Sequence, residues 1–108
     1  LVTPFSGDCV DEDSLSALVD WQVEQGSSAL VPCGTTGESA TMSGAEQRRV
    51  IELTVQAARG RVPVIAGCGS NNVATAIEHL RAAKEVGADA ALIGRMLIAA
   101  ITTAAINV

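Results

Sequence analysis

Apolar residues are distributed along this chain in two alternating patterns. Short runs without regular polar interruption, from about Ser28 to Cys33, Val62 to Ala66 and Ala88 to Ile93, read as buried strands, and Leu1 to Phe5 reads as the end of another. Between them apolar residues return every three or four positions: Leu15, Leu18, Val19 and Val23, then Val50, Leu53, Thr54 and Ala57, then Val73, Ile77 and Leu80. That spacing predicts three helices, each with one inward face. Asp11, Glu12 and Asp13 place acids at the positive end of the first helix. Ser43 with Glu46 makes a capping-box pattern for the second, and the turn Ser70-Asn71-Asn72 supplies an Asn cap for the third. Gly26, Gly60 and Gly87 are the predicted stops.

Helix-ending glycines that are each followed by a short apolar run are the sequence form of a βα repeat whose strands are covered on both faces. The expected fold class is therefore α/β, with a parallel sheet of about four strands and three helices. Periodicity alone admits both part of an eight-stranded βα barrel and a small open doubly wound sheet. No G-x-G-x-x-G fingerprint follows the first strand and no Walker-type Gly-Lys-Thr occurs, so the two common nucleotide-binding readings are excluded.

The stretch with most chemical content is Gly34-Thr35-Thr36-Gly37-Glu38, directly after the run that ends at Cys33. A loop in that place lies at the carboxyl end of the sheet, where α/β proteins bind ligands. The flanking glycines permit positive φ and close backbone approach. The amides and hydroxyls of Thr35 and Thr36 can then turn together toward one small anion, such as a carboxylate. Glu38 is read as a residue that holds the loop rather than as an acid or base.

Composition narrows the partners. With 108 residues, 48% of them apolar and 18% charged, the chain suits one small globular domain at most. A net charge of −5, one Trp, one Phe and no Tyr leave neither a basic patch nor platforms for stacking bases, so nucleic acid is not an expected partner. Cys9, Cys33 and Cys68 are odd in number and lack Cys-x-x-Cys spacing, which favours neither a disulfide framework nor a zinc site. Reduced, buried thiols in a cytosolic protein are expected, with Cys33 abutting the Thr-Thr loop. Leu1 to Phe5 carries no charged leader with an apolar core and begins mid-element, as a fragment would; no secretory signal is read there.

Taken together, Gly34-Thr35-Thr36-Gly37-Glu38-Ser39-Ala40-Thr41 and Val64-Ile65-Ala66-Gly67-Cys68-Gly69-Ser70-Asn71 resemble the dihydrodipicolinate synthase and N-acetylneuraminate lyase family. The resemblance runs over residues 1 to 93 in order, from Leu1-Val2-Thr3-Pro4-Phe5 to Gly87-Ala88-Asp89-Ala90, and Ser39-Ala40-Thr41 looks more like the synthase branch. It implies the N-terminal half of a TIM (β/α)8 barrel, tetrameric as a rule. The implied enzyme is a cytoplasmic lyase that condenses pyruvate with aspartate semialdehyde through a lysine Schiff base, with no cofactor and no metal, on the route to diaminopimelate and lysine. By the same resemblance Thr35 and Thr36 bind the pyruvate carboxylate, and the Thr35 hydroxyl joins a proton relay with two tyrosines. Paired amides suit that task because they stabilise an anion without adding a titratable group.

The chain also departs from that pattern. Lys84 is its only lysine and is expected as a solvated cation in the last turn of the third helix, unsuited to an imine. The family's lysine lies on a later strand, and the relay tyrosines are absent from a chain without tyrosine. His79 is read as a surface or helix-packing residue, and Arg48, Arg49, Arg59 and Arg61 as a solvated face. The positions matching the histidines through which some synthases bind inhibitory lysine are near Gly44 and Gln47, so that regulation is not expected. From Gly94 the resemblance stops. Residues 1–93 are expected to form the partial barrel and residues 94–108 a divergent apolar tail, shorter than the roughly 20 residues of a membrane span. A shifted reading frame through Ala100-Ile101-Thr102-Thr103-Ala104 would yield Tyr-Tyr-Asn-Arg, and truncation or a splice accounts for the break equally. The isolated chain is expected to be inactive and to self-associate. The alternatives are a non-catalytic half-barrel module and another pyruvate-dependent aldolase of the same family.

Overall fold

The computed structural model describes residues 1–34, 42–69, 72–93 and 96–98, with Ile93 and the last three given by backbone alone. The elements in chain order are β1 (Phe5–Ser6), β2 (Cys9–Val10), α1 (Glu12–Glu24), α2 (Gly44–Ala58), β3 (Ile65–Gly67), α3 (Val73–Glu85), β4 (Ala90–Ile93) and β5 (Met96–Ile98). The three helices stand where the periodicity places them.

Each helix is bounded by the chemistry that its sequence carries. Asp11 caps α1, its carboxylate accepting from the Ser14 amide at 3.1 Å and from the Ser14 hydroxyl at 2.8 Å, and these bonds hold its carboxyl below the usual range. Ser43 and Glu46 close both halves of a capping box on α2. Asn72 caps α3 by accepting from the Thr75 amide. At the far ends of α1 and α3, Gly26 and Gly87 both adopt φ +93°. The Gly26 amide donates to the Val23 carbonyl and the Ser27 amide to the Gln22 carbonyl; Gly87 to Lys84 and Ala88 to Ala83 repeat the pattern. That paired arrangement satisfies carbonyls the helix would otherwise leave open. In α2 the left-handed turn begins one residue early, at Arg59 with φ +51°, and Gly60 follows at φ +71°.

The sheet is short. β3 and β4 pair in parallel, Ile65 with Ala90, Ala66 with Ala91 and Gly67 with Leu92. The expected strand at Ser28 to Cys33 contributes a single parallel bridge, Leu30 to Val64. Its backbone is nevertheless tied to the β3 segment. The Leu30 amide donates to the Pro63 carbonyl at 3.0 Å, Ile65 to Leu30 at 2.8 Å and Gly67 to Pro32 at 2.9 Å. The ladder goes no further because Pro32 has no amide to give and Cys33 leaves the extended region, at φ +59°.

Three expectations are corrected. Cys9, expected as a buried thiol, is exposed at the start of β2, the second strand of a short hairpin. Leu1 to Phe5 is not a strand of the parallel sheet; Phe5 and Ser6 turn back on Val10 and Cys9 as an antiparallel hairpin. Gly7 at φ +63° takes the first position of its two-residue turn, and so local a pairing closes with little loss of chain entropy. Val73 lies on the same stripe as the buried Ala76, Leu80 and Ala83, but it is 76% exposed because its turn has nothing packed over it among the described residues.

All three helices pack on one side of the sheet. Leu15 and Val19 of α1, Val50, Ile51 and Leu53 of α2, and Leu80 and Ala83 of α3 share one core with Leu30, Val64, Ala66, Cys68 and Ala91. Thr54 is fully buried there, its hydroxyl donating to the Val50 carbonyl one turn back at 2.8 Å. The arginines read as a solvated face are exposed, yet they tie helices together. Arg49 makes a two-pronged contact with Glu12 of α1 and also pairs with Glu52. Arg59 and Arg61 meet Asp20 of α1, and Arg48 meets Glu85 of α3. The Arg49 guanidinium holds the Glu12 carboxyl below its ordinary range. Among the described residues no helix is long and apolar enough to cross a membrane.

Because the capping box supplies two of the hydrogen bonds that start α2, Ser43→Ala is expected to lower stability by about 1 kcal/mol. The check is a urea melt, in which the midpoint falls while the slope stays unchanged.

Candidate active-site edge

The carboxyl edge of the sheet is built by one close approach of two backbones. Gly67, the last residue of β3, lies against Cys33 and Gly34 so tightly that a Cβ built on it would sit 2.6 Å from the Cys33 carbonyl carbon and 3.0 Å from the Gly34 nitrogen. Here the glycine is required by space, since its φ is not in the left-handed region. On its other side the strand continues through the Cys68 amide, which donates to the Leu92 carbonyl at 2.9 Å. Three chain segments therefore end side by side at this edge: residues 30–34, residues 65–69 and β4.

Thr35, Thr36 and Glu38 lie outside the described residues, and so do Ser70 and Asn71. What the structure gives is the frame at both ends of the Thr-Thr loop. Before it, Cys33 is buried in the left-handed region, a costly conformation for a residue with a Cβ. Its thiol donates to the Gln47 carbonyl in the first turns of α2, Sγ to O 3.5 Å. After it, the side-chain amide of the same Gln47 donates to the Met42 carbonyl at 3.4 Å. One residue thus clasps both ends of the loop while only 8% exposed. Met42 and Gln47 occupy the positions flanking the cap of α2 where a hydrophobic staple would sit, with a hydrogen bond replacing part of the apolar contact. Sequence reading missed Gln47 because a glutamine four residues past a cap carries no distinctive signal. Close backbone approach is expected from sequence at Gly34 and Gly37; at Gly67, read only as part of a polar turn, it is shown by the structure alone.

The two buried thiols at this edge are not nucleophiles. Burial, with a smaller contribution from the neighbouring Cys68, pushes Cys33 from the ordinary 9.0 up to about 12, and burial raises Cys68 to about 11. Both stay protonated at neutral pH, and the thiolate is the reactive form. Lys84 is exposed in the last turn of α3, far in sequence from the loop and on the outer side of its helix. His79 is half-buried in α3, and its Nδ1 is buried without a hydrogen-bond partner among the described residues. No group of three or more His, Cys, Asp or Glu side chains converges as a metal site among the described residues.

Comparison with known proteins decides what this frame belongs to. The model of the dihydrodipicolinate synthetase family matches residues 1–94. This chain belongs to that family. It is 60% identical over 93 residues to a 4-hydroxy-tetrahydrodipicolinate synthase of Rhizorhabdus wittichii and 63% identical over 93 residues to that of Sphingopyxis alaskensis, covering 86% of this chain and 32% of each relative. Among solved structures it superposes on the chloride-inhibited dihydrodipicolinate synthase of Acinetobacter baumannii complexed with pyruvate, with a TM-score of 0.83 and 47% identity. That match covers 86% of this chain and 32% of the other. The chain thus spans about a third of the length of the curated relatives it matches, and the fold is the N-terminal part of the family's TIM barrel. Of the two motifs on which the resemblance rests, the described residues Gly34 and Ala66 to Gly69 lie at the edge that Gly67 organises.

Two outcomes follow from this geometry. Gly67→Ala must push apart Cys33 and β3 and is expected to cost about 3 kcal/mol, read by denaturant melting; an unchanged melt would show that the two backbones part freely. The buried thiols are neutral when folded, and their raised pKa values mean that their contribution to stability is whole below about pH 9, where the unfolded thiols also stay protonated. It is lost as pH rises toward about 11 and 12. A melting series across that window should show a decline that Cys33→Ala with Cys68→Ala flattens.

Proposed function

We propose that this chain carries the pyruvate-carboxylate cradle of a 4-hydroxy-tetrahydrodipicolinate synthase, a Schiff-base lyase that condenses pyruvate with aspartate semialdehyde in lysine and diaminopimelate biosynthesis. The observation that carries this reading is the carboxyl edge. Gly67 and the Gln47 clasp bring the start and end of the Thr35-Thr36 loop to one frame, in a chain 60% identical to a synthase of that name. In this reading the backbone amides and hydroxyls of Thr35 and Thr36 accept the carboxylate, fixing the keto carbon for attack by a lysine amine. The Thr35 hydroxyl passes a proton toward tyrosines supplied by the rest of the barrel, and no cofactor or metal takes part. The full-length form is a cytoplasmic homo-oligomer that engages neither nucleic acid nor membrane.

The imine-forming lysine and the relay tyrosines belong to the two-thirds of the relatives' length that this chain does not match. Joining residues 1–93 to that remainder from the Rhizorhabdus wittichii relative should restore synthase activity. In the chimaera Thr35→Val should lower kcat about a hundredfold through loss of the relay. A folded chimaera that forms the imine yet turns over equally well with valine at that position would overturn the assignment.

A second reading, a half-barrel module without catalysis, is favoured by the exposed position of Lys84, this chain's only lysine. For the isolated chain, borohydride with labelled pyruvate is expected to leave no label; an adduct on Lys84 would reverse that expectation. Size-exclusion chromatography separates the forms, oligomers indicating an unclosed barrel and a compact monomer a self-sufficient open sheet.

A further inference from the structure

The sheet grows in one direction. Leu30 bridges to Val64, the β3 segment pairs with β4, and each strand joins the same advancing edge after a crossover helix. The next parallel strand of a βα repeat would therefore join the outer edge of β4. That edge is taken. After two intervening residues β5 returns antiparallel along it, Ile93 opposite Met96, Leu92 opposite Leu97 and Ala91 opposite Ile98. The reversal falls where the family match ends, at residue 94. Since the Leu92 carbonyl is used by the Cys68 amide on the β3 side, the backbone groups of the alternate residues Ala91 and Ile93 face β5.

We propose that Met96–Ile98 form an edge cap, which fills the place of the next barrel strand and closes the outer edge of β4 against strand addition by a second copy of this chain. An uncapped edge presents a row of unpaired amides and carbonyls that templates such pairing. The inference is independent of the lyase reading, because it concerns which strand β4 accepts and not what the Thr-Thr loop binds.

Residue-resolved hydrogen exchange tests it. In the full chain the amides of Ala91 and Ile93 should be protected equally at low and high protein concentration. In a Met96→Pro/Ile98→Pro variant, which removes the two β5 amides opposite them, protection should be lost at low concentration. It should return as concentration rises and a second copy pairs with the edge, with a matching shift to dimer in sedimentation equilibrium. Protection of Val50 to Thr54 in α2 reports that the variant is folded, and a chain ending at Ile93 repeats the measurement without prolines. Exchange of Ala91 and Ile93 in the full chain as fast as the exposed turn at Gly7 and Asp8 would overturn the cap. So would a folded variant whose protection does not depend on concentration. If neither altered chain folds, concentration-independent protection in the full chain upholds the cap, and concentration-dependent protection there overturns it.

Discussion

Gly67 has no side chain, and the backbone of Cys33 and Gly34 occupies the space where one would stand. Much of the carboxyl edge depends on that contact. It lets the Gly67 amide reach the Pro32 carbonyl at 2.9 Å although Pro32 itself can donate nothing. It also lets the chain leave the sheet at Cys33 in a left-handed conformation. Such a conformation persists only where its surroundings over-determine it. Here they do so from two sides, with Gly67 beneath the backbone and the Gln47 carbonyl accepting from the thiol.

From that contact outward the structure is a series of local solutions joined by packing. Caps at Asp11, Ser43 and Asn72 and paired carbonyl closures at Gly26 and Gly87 settle where helices begin and end. The apolar faces of α1, α2 and α3 then bury the same side of the sheet, and arginines on α2 reach acids on both neighbouring helices. These exposed ion pairs add little stability singly; their effect is on register, since Arg49 can grip Glu12 with two nitrogens only at one relative placement of α1 and α2. At the entrance to β4 the Asp89 carboxylate accepts from the Val64 amide at 2.9 Å while the Asp89 amide donates back to the Val64 carbonyl. The two parallel strands are thereby aligned at their amino ends, opposite the edge where Gly67 works.

The chemistry of the site divides along the same line. Binding a small carboxylate needs donors held in place without an added titratable group, and among the described residues the frame at the two ends of the loop consists of two neutral thiols, a glutamine and backbone. Covalent chemistry needs a desolvated amine, and Lys84 is exposed. In the proposed reading, a chain that covers 32% of its relatives holds the carboxylate-binding part of the machinery and not its amine, in keeping with the way a barrel distributes its site over successive strands.

Residues near one another in sequence determined most of the helical part of this fold. Acids, hydroxyls and glycines act within a turn of the backbone, so the acidic start of α1, the caps of α2 and α3 and the stops at Gly26 and Gly87 could be read from the chain alone, as could the parallel βα order and the family motifs; that Asp11 itself caps α1 is seen only in the structure. Strand edges and side-chain partners depend on what comes alongside from a distance. Leu1 to Phe5 carries strand-like residues, but a two-residue turn at Gly7 offered a nearer partner; Val73 has the right helical phase, but nothing covers its turn among the described residues. Gln47, the Arg49–Glu12 grip and the β5 return along β4 were illegible for the same reason. Each joins groups whose meeting is decided by the folded chain, and no spacing along a single segment encodes it.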